Sequence, residues 1–321
     1  MAERLDPGVS HLNNRPLKIG LFLPIGEAMM GGDTAGWADL LALARRAEAV
    51  GFDSLWVPDH ILMRFPDQEG AMGGWECWSL LAALAAATTR VELAPLVTCA
   101  NYRNPALLAK MADTVDEISG GRLILGLGAG WHEPEFQAFG FPYDHRVSRF
   151  AEAINIIATL LRDGGVDYEG RFYAARNCEL RPRGPRRHGP PLLVGTSGPR
   201  MLRLTARYAD LWNAEWVNEP KALPPASATV DAACAEVGRD PATLGRTASV
   251  MLTLPGHGRP GEYWVADAFA GRAATGSPEE VAALFHAYAA EGISHVQLWL
   301  DPSTERGIET FAPVLELLDR G

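Results

Sequence analysis

The 321-residue sequence predicts an α/β fold, a (β/α)8 TIM barrel with insertions, on three observations. Short apolar runs alternate with longer stretches of helical periodicity, the pattern of repeated βα units around a parallel sheet. Eight such units can be counted, which is what a closed barrel needs, with a doubly wound open sheet as the main alternative. The apolar runs are also near-continuous rather than alternating, as in strands covered on both faces.

The strand candidates are residues 18–23, 54–58, 91–98, 123–127, 192–195, 211–214, 248–254 and 295–300. The helices between and after them fall at 37–50, 78–88, 105–118, 146–161, 199–209, 225–237, 278–291 and 307–318. Ser277, Pro278 and Glu280 read as an N-cap, a proline in the first helical turn and a capping-box glutamate, with Gly292 closing the far end. Gly51 and Gly120 stop two further helices. Residues 1–16 are polar and read as a flexible arm, followed by one domain over 17–321. Insertions are expected near 162–191, where 166–168 and 171–174 flank Glu169 and Gly170 as a hairpin, and near 255–276.

Composition narrows the function. With 29 basic and 39 acidic residues the net charge is −10, which argues against nucleic acid and anionic membrane as partners. No segment reaches the roughly 20 apolar residues of a membrane span, and the N-terminus lacks the apolar core of a secretory signal. Cys77, Cys99, Cys178 and Cys234 show neither zinc-ribbon nor disulfide-scaffold spacing, so a reducing cytoplasm is expected. The expected partner is a small-molecule substrate, with a second copy of the chain in a homodimer as the one protein partner considered.

In a barrel the residues just beyond the strand C-termini carry the chemistry. Here they include Asp59 and His60 after the second strand, Thr98 after the third, and Gly128, Ala129, Gly130 and Trp131 after the fourth. Gly195, Thr196, Ser197 and Gly198 follow the fifth, and Trp212 and Trp216 belong to the sixth. The Gly126–Gly130 run fits a dinucleotide fingerprint only loosely, and glycines serving a tight strand-to-loop turn explain it as well. His132, Glu133 and Glu135 lack the spacing that sets two imidazoles on one helical face, so no metal is expected. The 195–198 run followed by Pro199 reads as a helix N-terminus with exposed N–H groups, an anion site.

The segments GFDSLWVPDH (51–60), YRNPALLAK (102–110), ISGGRL (118–123) and GLGAGWHEPEF (126–136) resemble, in order, the bacterial luciferase-like flavin and deazaflavin oxidoreductases. The most similar subgroup uses coenzyme F420, a 5-deazaflavin that carries hydride and bears an anionic tail. The resemblance implies an F420-dependent oxidoreductase moving a hydride between the deazaflavin and a small organic substrate. The alternatives are an FMN-dependent two-component monooxygenase and a non-catalytic flavin-binding protein; paired carboxylates for a barrel hydrolase do not stand out.

It further implies that Thr98, Gly128, Ala129, Gly130, Gly195, Thr196, Ser197 and Gly198 bind the cofactor, with the glycines letting the ring pass close to the backbone. His60 then stands at the active-site histidine of the sugar-phosphate-oxidising deazaflavin dehydrogenases, with Asp59 beside it, and Trp131 and Trp212 face the substrate. His132 and the glutamates fall in the loop beyond. Trp131 occupies the position where those dehydrogenases carry a catalytic glutamate, so their reaction is not carried over. A non-prolyl cis peptide is implied within residues 95–98, with Pro95–Leu96 the expected bond.

Overall fold

The computed structural model describes residues 14–66, 69–255 and 273–320. In chain order, β1 (Lys18–Phe22) leads to α1 (Trp37–Val50) and β2 (Ser54–Val57). A small hairpin, β3 (Leu62–Met63) and β4 (Met72–Gly73), precedes α2 (Cys77–Ala87). The third barrel strand comes in two pieces, β5 (Glu92–Pro95) and β6 (Thr98–Cys99), before α3 (Pro105–Ser119) and β7 (Leu125–Gly128). Then come α4 (Glu133–Phe139), α5 (Arg146–Asp163) and a second hairpin, β8 (Gly165–Glu169) with β9 (Ala174–Glu179). The order ends with β10 (Leu192–Gly195), α6 (Pro199–Tyr208), β11 (Leu211–Ala214), α7 (Leu223–Glu236), β12 (Gly245–Thr253), α8 (Pro278–Ala290), β13 (Ile293–Asp301) and α9 (Glu305–Asp319).

The large sheet is parallel and runs β5-β2-β1-β13-β12-β11-β10-β7-β6. It closes through a parallel bridge between Leu93 and Leu123, where Leu93 N–H donates to Arg122 O at 3.0 Å and Ile124 N–H to Leu93 O at 2.9 Å. The fold is therefore the barrel that the alternation of the sequence predicts. Strand residues divide between two apolar layers. Val296, Leu298 and Leu300 of β13 join the core under the helices, whereas Trp299 packs in the lumen with Phe22, Trp56, Ala94, Ile124 and Leu193.

Local signals act where expected. Gly51 and Gly120 take φ of 104° and 69° at the ends of α1 and α3, a region open to glycine at little steric cost. Ser277 and Glu280 form the reciprocal capping box of α8.

Three expectations change. The third strand is not continuous over 91–98: it breaks at a cis peptide between Leu96 and Val97, one residue beyond the expected bond. Pro95 still pairs with Val57, and Leu96 N–H donates to Val57 O at 2.9 Å, so strand pairing carries past 95 before the chain breaks away. Arg15, assigned to the flexible arm, is buried and bridges Asp319 at 2.8 Å and Asp53 at 3.2 Å, so the ordered domain starts before residue 17. The hairpin near 162–191 is longer than its aromatic pieces suggest. Most of the 255–276 insertion, and residues 1–13 of the arm, lie outside the described residues.

Candidate functional site

The loop after β2 carries Pro58, Asp59 and His60 to the barrel mouth. His60 is partly exposed, and its Nδ1 lies 3.0 Å from Glu135 Oε2. Glu135 sits in the first turn of α4 and is wholly buried. Its carboxylate also accepts from Tyr102 OH at 2.7 Å, from Leu62 N–H at 2.9 Å and from Ile61 N–H. Burial pushes this carboxyl up, but the hydrogen bond and charge of His60, with the Leu62 and Tyr102 donors, hold it below the usual range. An ionised Glu135 requires the His60 proton on Nδ1, which leaves Nε2 to accept or give a proton at the mouth. The exposed Trp131 ring meets His60 edge-on, with centroids 5.6 Å apart.

Glu135 is the residue that the sequence reading missed, because it stands 75 positions from its partner and was placed in the loop beyond the site. The only local hint was two acidic residues in the first turn of a short helix, a position that suits them without any function. His132 is buried too, and its Nε2 accepts from Arg64 N–H at 2.9 Å. Burial lowers its pKa despite Glu135, so it serves as a neutral acceptor. Among the described residues no cluster of three or more His, Cys, Asp or Glu side chains is placed to hold a metal ion.

Asp59 stands beside His60 in sequence but not in role. Both its oxygens bond Arg103, at 2.7 and 2.9 Å, and Oδ2 also accepts from Cys99 N–H at 2.9 Å. Burial works against the charge on Arg103, yet Asp59 and Glu76 hold the guanidinium protonated above its ordinary range. This ion pair braces the end of β2 against β6 and α2, and it leaves Asp59 no free oxygen on which a proton would usefully land.

The glycines after β7 pack on the broken third strand. A Cβ on Gly128 would stand 2.7 Å from Val97 Cγ2, and one on Gly130 would stand 2.6 Å from Cys99 Sγ and from the Phe136 ring. Their missing side chains thus admit protein, whatever else their backbones face. Ala129 O accepts from Asn101 Nδ2 at 2.8 Å. Thr98 is fully buried at the head of β6, and its hydroxyl has no partner among the described residues.

After β10, Thr196 is half-buried while Ser197 and Gly198 are exposed. Gly198 caps α6 without a side-chain hydrogen bond, Pro199 follows, and a Cβ on Gly198 would meet nothing within 4 Å. Arg200 Nη1 donates to Ser148 Oγ at 2.9 Å, which ties the first turn of α6 to that of α5. Trp212 does not face the crevice: it is 2% exposed, packs under the helices and donates from Nε1 to Thr196 O at 2.8 Å. Strand alternation explains this, since its neighbours Leu211 and Asn213 take the lumen side. The aromatics at the lumen mouth are instead Phe22, Trp216 and Trp299, with Phe22 and Trp299 stacked at 5.0 Å.

A closed parallel barrel, with an oriented histidine and the N-terminus of α6 at the C-terminal ends of its strands, defines an α/β barrel protein. A family model described as luciferase-like monooxygenase matches residues 17–256, and the chain belongs to that family. It is 34% identical over 195 residues to a 5,10-methylenetetrahydromethanopterin reductase of Archaeoglobus fulgidus, spanning 60% of this chain and 53% of that one. It is 34% identical over 246 residues to the pyrimidine monooxygenase RutA of Rhizobium rhizogenes, spanning 70% of this chain and 64% of that one. The chain thus spans between about half and two-thirds of the length of these relatives. A solved F420-dependent secondary alcohol dehydrogenase, in complex with an F420-acetone adduct, shares the fold. Its TM-score is 0.78 at 22% identity, over 94% of this chain and 99% of that one. Among the described residues no helix is long and apolar enough to cross a membrane.

Proposed function

We propose that this chain is an F420-dependent oxidoreductase in which His60 moves the proton that accompanies hydride transfer to or from a small organic substrate. The observation that carries the reading is the buried Glu135 carboxylate locking His60 into one tautomer at the barrel mouth, with Nε2 left over. The residues present fit a phosphate-bearing tricyclic cofactor. The uncapped N-terminus of α6 and the open space over Gly198 suit its phosphate, and the unpartnered Thr98 hydroxyl lies at the break that the family resemblance sets behind the ring. When bound, F420 supplies a carbon centre that accepts or donates hydride and reacts poorly with oxygen in its reduced form.

The protein's own part follows from its geometry. Glu135 fixes the imidazole with its proton on Nδ1, so that Nε2 takes a proton from an alcohol-like group or returns it to a carbonyl. Asp59 and Arg103 hold the loop that carries His60, and Trp131 covers the histidine from the solvent side. Arg200 adds positive charge beside Ser197, and Arg171 approaches His145, the residue before α5, at 3.5 Å.

The second reading, an FMN-dependent monooxygenase, draws on the similarity to the pyrimidine monooxygenase. Fluorescence titration of the purified protein with each oxidised cofactor separates the two. F420 is expected to bind at least about tenfold tighter, a difference of 1.4 kcal/mol. FMN binding with none for F420, together with oxygen-dependent product formation, would overturn the proposal.

Gly198→Val tests the anion loop. Gly198 has φ of −75° and open space around it, so the variant is expected to fold with its stability unchanged within about 0.5 kcal/mol. Cofactor affinity is expected to fall about tenfold or more as the valine blocks approach to the α6 N–H groups. A folded variant that binds the cofactor as tightly as the parent would remove residues 197–198 from the site.

A further inference from the structure

Glu215 follows β11, on which Leu211 packs into the lumen cluster and Asn213 bonds Ser249 and Thr247 of the neighbouring β12. Alternation puts residue 215 on the same side, and the geometry agrees. Its Oε1 lies 3.0 Å from where a Cβ on Gly195 would stand, and Val97 Cγ1 lies 3.6 Å from the same point. The carboxyl therefore occupies the space that the missing side chain of Gly195 leaves, beside the break in the third strand.

Solvent reaches Glu215 from the open mouth. Protein nevertheless surrounds it closely enough that burial raises its pKa, and no other titratable group contributes to that shift. Asp59, Glu135 and Asp116 are all engaged, by Arg103, by His60 with Tyr102, and by Arg186. Glu215 has no hydrogen bond or ion pair among the described residues. Its oxygens are left to accept from a donor that enters by the mouth.

We propose that Glu215 reads the imide edge of the tricyclic ring, accepting from the ring N–H. The inference rests on the function proposed above, since it needs that ring. The imide N–H is the one donor on that edge, and a carboxyl oxygen is its complement. Gly195 then has a specific reason to be glycine: a side chain there would displace Glu215.

The test is fluorescence titration of the protein with F420 and with its N3-methyl derivative. The parent is expected to bind F420 about tenfold tighter than its methylated form, roughly the worth of one hydrogen bond. Glu215→Gln, whose amide oxygen also offers an acceptor, keeps that preference. Glu215→Ala loses it and binds both forms alike. If the parent binds the rings but does not discriminate, or if Glu215→Ala still discriminates, the assignment of Glu215 is overturned while the proposed function stands. If the parent binds neither form, the proposed function fails and this inference fails with it.

Discussion

His60→Ala is expected to lower kcat by about 10²–10⁴-fold, the usual contribution of a positioned acid or base, while cofactor affinity changes less than about threefold. The split follows from the place of His60. It stands on the loop after β2, and the loop proposed for the phosphate follows β10, so removing the imidazole takes away the proposed proton transfer without touching that loop. Glu135→Gln distinguishes an oriented imidazole from a merely nearby one. With its oxygen in the Oε1 place the glutamine keeps the acceptor for Leu62 and Ile61 N–H, but its amide NH2 then faces Tyr102 OH and His60 Nδ1, so the Nδ1 proton loses its acceptor. Glu135→Gln is therefore expected to lower kcat toward that of His60→Ala, with KM little changed. A His60→Ala enzyme with parental kcat would end the assignment. A parental kcat in a folded Glu135→Gln would reduce Glu135 to a structural role.

The fold was legible because barrel strands and their helices are local patterns: apolar runs, capping residues and glycine stops each act within a few positions. The parts that escaped are long-range. Nothing near His60 indicates that Glu135 will reach it, nor that Asp59 is already taken by Arg103, 44 positions away. Trp212 was misplaced for a different reason. In a strand buried on both faces the apolar run does not say which residues face the lumen, and a shift of one position exchanges lumen for helix layer. The glycines after β7 and β10 were recognised as places of close approach, but the partner at each is found only in three dimensions. Val97 stands over Gly128, Cys99 and Phe136 over Gly130, and Glu215 over Gly195.

Asp59→Ala is expected to destabilise the fold by about 3–5 kcal/mol, the cost of stranding one member of a buried ion pair, measured as a lower midpoint in urea with an unchanged slope. The carboxylate is 1% exposed and the arginine 12%, so water cannot take over the lost bonds. Arg103 would retain only Glu76, and Cys99 N–H would lose its acceptor. Asp59→Asn separates charge from shape: the amide oxygen still accepts from Cys99 or Arg103, but the opposite charge is gone, so a smaller loss of about 2–3 kcal/mol is expected. Were Asp59 instead a proton-transferring partner of His60, the asparagine variant would be as stable as the parent and nearly inactive. The brace predicts the reverse ordering: at a temperature where Asp59→Asn remains folded, its kcat stays within about tenfold of the parent, because Glu135, not Asp59, holds the imidazole. Stability and turnover measured on the same two variants decide between the brace and the proton carrier.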